Sequence, residues 1–304
     1  MYNTSEKMKT TTILNCERLS YHVRGKTLLN DVGFAIEPGQ RVAILGHNGA
    51  GKSTLIDLLT HALEPDTGSV SIFGQPFQKI DRQRIGVVFD RLQAFVLLKV
   101  KEVIRYFRTI YGLPGALPEA ELLEAVQLQD HLDKQIRYLS KGERKKVWVL
   151  LALMHNPEFL ILDEATSELD PFSRRRVWDK GILSNPNRTV LFTTHSWEEA
   201  QEHADSIIFL SKGVMPMPMI STDRLLSEEY LPFDRKVVVR HEPALTAFLE
   251  EQQAEFYEED EQLHILPSNL DELLGRIARL TSSYSIMNTS LMDVYALSTK
   301  KLTV

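Results

Sequence analysis

The segment Gly46-His47-Asn48-Gly49-Ala50-Gly51-Lys52-Ser53-Thr54 constrains this chain more than any other. It fits the pattern G-x-x-x-x-G-K-[ST], it follows the short apolar run 41–45, and it opens the helix-patterned stretch 52–62. The glycines let the backbone wrap closely around phosphate groups with its amides turned inward. The helix that starts after Gly51 adds a favourable partial positive charge. Lys52 is expected to reach β- and γ-phosphates, and Ser53 to ligate Mg²⁺. A strand–loop–helix of this kind requires an α/β core around it.

Three further segments carry chemistry. In Phe159-Leu160-Ile161-Leu162-Asp163-Glu164 an apolar strand ends in two carboxylates. The carboxyl end of such a strand opens into the crevice where parallel sheets bind ligands. Asp163 is therefore expected to hold Mg²⁺, and Glu164 to polarise a water against the γ-phosphate. Thr193-His195 ends a second apolar strand at 190–192 and places His195 for contact with a γ-phosphate. In Leu139-Ser140-Lys141-Gly142-Glu143-Arg144-Lys145-Lys146 a serine and a glycine precede a helix, whose start can bind an anion; the basic residues that follow read as a solvated turn.

Strand patterns occur at 14–23, 32–36, 69–73, 85–89, 159–162, 189–193 and 206–210, with turns at Gly25, 37–39 and 66–68. The later strands are apolar on both faces, the mark of a buried, mostly parallel sheet. Residues 99–151 are mostly helical in pattern, broken at 113–115 and 117–118. After Gly213 the composition shifts through the irregular Met215-Pro216-Met217-Pro218-Met219. Beyond it, 236–240 and 262–266 read as strands, and 244–250 and 270–280 as helices. The acidic run 258–261 reads as a solvated turn. The expected organisation is a core domain over 11–225, with a helical subdomain at about 91–154, and a small α+β domain over 226–304.

Composition excludes several classes. A hydrophobic fraction of 43% and a charged fraction of 25% over 304 residues are those of an ordinary globular chain. The net charge of −6 gives no electrostatic footprint for nucleic acid. The single cysteine, Cys16, cannot form an internal disulfide and reads as a small buried apolar residue, in keeping with a reducing compartment. No run approaches the roughly 20 apolar residues that cross a bilayer. If the protein acts at a membrane, other chains must supply the spanning helices.

Taken together, these segments resemble the nucleotide-binding subunits of ATP-binding cassette (ABC) transporters over residues 13–213. Residues 46–54 look like the Walker A loop, and 160–164 like Walker B with its catalytic glutamate. Residues 139–143 look like the family signature, Ser167-Glu168-Leu169-Asp170 like the D-loop, His195 like the switch histidine, and Tyr21 like the aromatic that stacks on adenine. The resemblance implies a phosphate-loop NTPase core: a mostly parallel sheet flanked by helices, an antiparallel β subdomain and a helical subdomain. It also implies catalytic roles for Glu164, His195 and Lys52. The nucleotide would be held by Tyr21, Gly46, His47, Asn48, Gly49, Ala50, Gly51, Lys52, Ser53 and Thr54, and by Ser140 and Gly142 of a second subunit. The metal would be held by Ser53 and Asp163.

The expected assembly is a head-to-tail pair, taken as two copies of this chain, with ATP between the loop of one and Ser140-Lys141-Gly142 of the other. Separate transmembrane permease chains, docked on the helical subdomain, would hold it at the inner, cytoplasmic face of the cell membrane. The C-terminal domain, with Ser290-Leu291-Met292-Asp293-Val294-Tyr295, is similar to tails on bacterial exporter subunits. The alternatives are a soluble ABC ATPase and a nucleotide-gated module not coupled to transport. Three departures bear on the choice. Asp90 and Arg91 follow the strand where the family has a glutamine, with Gln93 displaced from that position. Lys141 and Glu143 replace a glycine and a glutamine, and Glu168 replaces a small D-loop residue.

Overall fold

The computed structural model describes residues 12–90, 94–113, 119–267, 269–277, 281 and 283–300. Arg91 and Gln93, both named in the first departure above, lie outside them. The chain divides into two compact units between Pro218 and Met219, within the irregular Met–Pro stretch and a few residues before the boundary expected at 225/226.

In unit 1, β1 (Leu14–Val23) and β2 (Lys26–Ile36) form a hairpin across Arg24 and Gly25. Both turn residues have positive φ, 50° and 78°, as the turn that matches the twist of a two-residue hairpin demands. β2 thus starts earlier than the sequence pattern at 32–36. With β4 (Thr67–Ile72) these strands make an antiparallel sheet in the order β2-β1-β4. Cys16, on β1, is buried; burial pushes its thiol up to about 12.

The second sheet of unit 1 is parallel. It contains β5 (Ile85–Val88), β6 (Phe159–Asp163), β7 (Thr189–Thr194), β3 (Arg41–Leu45) and β8 (Ser206–Phe209), in that spatial order. Every residue of β6, β7 and β8 is buried, which explains why they read as unbroken apolar runs rather than alternating ones. β7 lies between β3 and β6. Its register pairs Thr194 with Leu45 on one side and Thr193 with Asp163 on the other. The carboxyl ends of the three strands that carry the chemistry are therefore neighbours.

Helix α1 (Lys52–Leu59) follows β3 directly. Helices α2 (Val100–Ile110), α3 (Glu119–Val126) and α4 (Lys141–Leu153) fall within the expected helical region. α4 begins with a reciprocal cap: the Glu143 amide donates to Ser140 Oγ (3.1 Å), and the Ser140 amide donates to Glu143 Oε2 (2.7 Å). α5 (Pro171–Arg176) is capped by Asp170, with proline at its first position, and α6 (Trp197–His203) is capped by Ser196.

Unit 2 opens with the two-residue strand β9 (Ile220–Ser221) and the one-turn helix α7 (Thr222–Leu225). Its main sheet is antiparallel, in the order β11 (Glu255–Glu259), β12 (Gln262–Leu266), β10 (Arg235–Arg240), β13 (Tyr284–Asn288). Val237, Val239, Leu263 and Ile265 of the sheet pack with Leu245 and Leu249 of α8 (Pro243–Glu251) and Ile277 of α9 (Leu270–Ile277). Helix α10 (Leu291–Lys300) closes the unit. The acidic run is not all turn: Glu258 and Glu259 close β11, and only Asp260 and Glu261, at φ 48° and 60°, make the hairpin turn. Cross-strand pairing with β12 overrides the local charge repulsion that had marked these residues as loop.

Candidate nucleotide site

Gly51 caps α1 at φ 108°, a left-handed conformation that a side chain would strain, and so turns the chain from loop into helix within one residue. The turn aims Lys52 back along its own loop. Lys52 is only 6% exposed, and its Nζ donates to the Gly46 carbonyl (2.7 Å) and the His47 carbonyl (3.4 Å). The same ammonium stands 3.5 Å from Glu164 Oε1. His47, Asn48 and Gly49 are exposed at the crest, while Ala50 is buried. His47 meets Trp197 edge-on, with ring centroids 6.5 Å apart. Ser53 is exposed and Thr54 half-buried on the first turn of α1.

Asp163 is buried at the end of β6. Its Oδ1 accepts from Thr193 Oγ1 at 2.6 Å, and its carboxylate also bonds with the Ser53 hydroxyl. Burial pushes this carboxyl above its ordinary value, against the pull of those two hydrogen bonds. Glu164 follows at φ 50°, in the left-handed region that a glutamate adopts only when its surroundings hold it there. Its amide donates to Thr193 Oγ1 at 3.0 Å, so one threonine hydroxyl orients both acids. Glu164 Oε2 lies 2.8 Å from His195 Nδ1. Its carboxylate thus sits between Lys52 and His195.

The structure brings Lys52, Ser53, Asp163, Glu164 and His195 into one bonded cluster. Tyr21 stands outside it, half-buried on β1 and in register with Leu29 of β2. Ser140 and Gly142 also stand outside it, at the start of α4, where a Cβ on Gly142 would come within 2.8 Å of the Glu168 carbonyl. That close approach is what the glycine permits.

Two residues bonded to the acidic pair carry no mark of that placement in the sequence. Thr193 reads in the sequence only as part of a strand end; its register opposite Asp163 becomes visible only once β6 and β7 pair. Lys145 reads in the sequence as part of a solvated basic turn but is buried. The available signal was its helical spacing, one turn before the apolar Val149.

The donor set suits a hard divalent cation, since the Ser53 hydroxyl and the Asp163 carboxylate bring hydrogen-bonded oxygens together at the end of β6. Among the described residues no group of three or more His, Cys, Asp and Glu could hold a metal alone. An ion here would share its shell with phosphate oxygens, as Mg²⁺ does at such sites.

Comparison with known proteins agrees with this geometry. Residues 29–167 match the family model described as ABC transporter. The Nod factor export ATP-binding protein I of Bradyrhizobium diazoefficiens is 33% identical over 197 residues, covering 62% of this chain and 64% of that protein. The matched region therefore spans just under two thirds of the length of this curated relative. Among solved structures, an ATP-binding subunit of an ABC transporter superposes with a TM-score of 0.63 at 27% identity, over 70% of this chain and 92% of that one. A bacterial Atm1-family ABC exporter with ATP bound superposes with a TM-score of 0.60 at 27% identity, over 70% of this chain and 39% of that one. With the phosphate loop, the paired acids and the strand-end histidine converging in unit 1, and with these likenesses beside them, unit 1 is similar to the ATP-binding subunits of ABC transporters.

Proposed function

We propose that this chain binds and hydrolyses ATP as the motor subunit of a transporter, with export as the direction. The observation that carries the proposal is the position of Glu164. It directly follows the buried Asp163, and its carboxylate is held between Lys52 Nζ (3.5 Å) and His195 Nδ1 (2.8 Å). In this reading Gly46, Asn48, Gly49, Ala50 and Gly51 wrap the phosphates with their amides. Lys52 exchanges its carbonyl contacts for β- and γ-phosphate oxygens. Ser53 and Asp163 would hold Mg²⁺, which would supply positive charge to offset that of the phosphate oxygens. Glu164 takes the proton of a water aligned on the γ-phosphate, and His195 orients the carboxylate and meets the departing phosphate. Tyr21 stacks on the adenine.

Ser140 and Gly142 serve the site of a second copy. Ser140 caps a helix whose N-terminus presents amides to an anion, and Thr54 and His47 complete the loop on the first copy. Two copies closing on two ATP, and separating after hydrolysis, would drive separate membrane chains at the cytoplasmic face. No helix among the described residues is long and apolar enough to cross a membrane, so the spanning part is assigned to those partners. The export direction draws on the likeness to the Nod factor export protein.

The test compares wild type with Glu164→Gln. Wild type is expected to turn over ATP, and the variant to bind it as tightly without turnover and to dimerise on it. Equal rates in the two proteins, or a variant that stays monomeric at saturating ATP, would sink the proposal.

A further inference from the structure

The ammonium of Lys145 joins three segments that chain order keeps apart. Lys145, on the first turns of α4, is buried, with 9% of its surface exposed. Its Nζ donates to Asp90 Oδ1 at 3.0 Å, to Ser167 Oγ at 2.7 Å and to the Glu164 carbonyl. An ammonium has three donors, and all three are committed. Ser167 Oγ in turn donates to the same Glu164 carbonyl, at 2.9 Å. The carbonyl that receives both belongs to the residue at φ 50°, whose left-handed backbone aims its carboxylate between Lys52 and His195.

Asp90 supplies the balancing charge. Its carboxylate follows β5, is about one third exposed, and pairs with Lys145 at 3.0 Å. It is close enough to add to the upward push that burial exerts on Asp163. Without Lys145 it would be an uncompensated negative charge beside a site meant for phosphates. Without Asp90, Lys145 would be a buried cation holding only neutral acceptors.

We infer that Lys145 is a positioning residue that fixes the backbone of Glu164 and Ser167, and that Asp90 is its counter-ion, so that the segment after β5 controls the aim of the general base through one side chain. Lys145 touches no reacting group; it acts through the carbonyl of Glu164. This rests on the reading of Glu164 as the base, but the positioning itself can be measured without turnover.

The experiment uses the full chain as wild type, Lys145→Gln, Asp90→Asn and the double variant, with ATP turnover and backbone hydrogen exchange as readouts. Lys145→Gln is expected to lower kcat at least about tenfold while KM changes less than about twofold, because orientation rather than binding is lost. Amides of 164–170 should exchange faster, while those of 147–153 in α4 stay protected. The double variant is expected to lose less activity than Lys145→Gln alone, since it also removes the stranded carboxylate. Unchanged exchange over 164–170 in Lys145→Gln overturns the inference. Should that variant not fold, Asp90→Asn decides in the same way: faster exchange over 164–170 supports the inference, and unchanged exchange overturns it. A wild type that binds ATP without hydrolysing it would sink the ATPase reading instead, and the exchange measurement would still decide this one.

Discussion

Lys236 and Asp293 form an ion pair inside unit 2, with Nζ 2.8 Å from Oδ1 and 3.0 Å from Oδ2 while Asp293 is wholly buried. The pair ties α10 to β10. Its remaining valences are filled: Tyr257 Oη donates to Asp293 Oδ1 at 2.8 Å, and the Ser290 amide donates to Oδ2 at 2.7 Å. Burial and the adjacent carboxylate hold the Tyr257 phenol protonated, well above its ordinary range. Asp293→Ala would leave Lys236 buried without a counter-charge. The expected loss is about 3–5 kcal/mol for unit 2, and Lys236→Met with Asp293→Leu should cost less than the single change. Exchange of the β10 and β12 amides reads this directly. Unit 1 can be followed separately, because Trp148, Trp178 and Trp197 all lie within it.

Much of the site was legible because its strands end where their apolar runs end. The runs 42–45, 159–162 and 190–192 are buried on both faces and stay apolar until the chain reaches the crevice, and the residues that end them, Gly46, Asp163 and Thr193, mark it. Pairing order was not legible, and with it went the role of Thr193 between the two acids. Lys145 was missed because lysine in a basic run normally lies in solvent; only the fold brings Asp90 and two loop oxygens to it. β13 carried no signal, since it is an edge strand with every residue exposed and shows no apolar alternation. The acids of β11 misled for a related reason: two of them sit in a strand whose pairing with β12 lies outside the local sequence.

Lys52→Ala tests the loop. In the free protein the ammonium is held by the Gly46 and His47 carbonyls, and it stands close to Glu164. Loss of one charge-assisted contact to phosphate, worth about 1.5–3 kcal/mol, should weaken ATP binding roughly ten- to a hundredfold. Titration of tryptophan fluorescence with ATP would measure it, since Trp197 packs near His47 at the crest of the loop. An unchanged affinity would remove Lys52 from the nucleotide site.

Ser140→Ala separates two roles of one hydroxyl. Within the chain, Ser140 Oγ accepts the cap bond from the Glu143 amide, while the reciprocal bond from the Ser140 amide to Glu143 survives the change. The stability cost should be about 1 kcal/mol, read from the urea midpoint. In the Glu164→Gln background the same change should abolish ATP-driven dimers in sedimentation while leaving ATP binding to the monomer intact. A dimer of undiminished affinity would show that Ser140 serves only its own helix.

The acid limit of unit 1 should be set above the carboxylate range by buried histidine. His203 is buried at the end of α6, stacked on Trp178 with ring centroids 4.2 Å apart, and burial holds its imidazole below the ordinary value. His155 is lowered for the same leading reason, and stacks on Tyr111 at 4.1 Å. In the unfolded chain both rings take up a proton at about pH 6.5, whereas in the fold they stay neutral to lower pH. The unfolded state therefore binds more protons as pH falls through about 6.5, and stability drops with it. The urea midpoint followed by tryptophan fluorescence should decline between about pH 7.5 and 5.5, before any carboxylate of ordinary affinity titrates. In His203→Gln the slope should be shallower over that range. The same slope in the variant as in wild type would mean that His203 is protonated in the fold as readily as out of it.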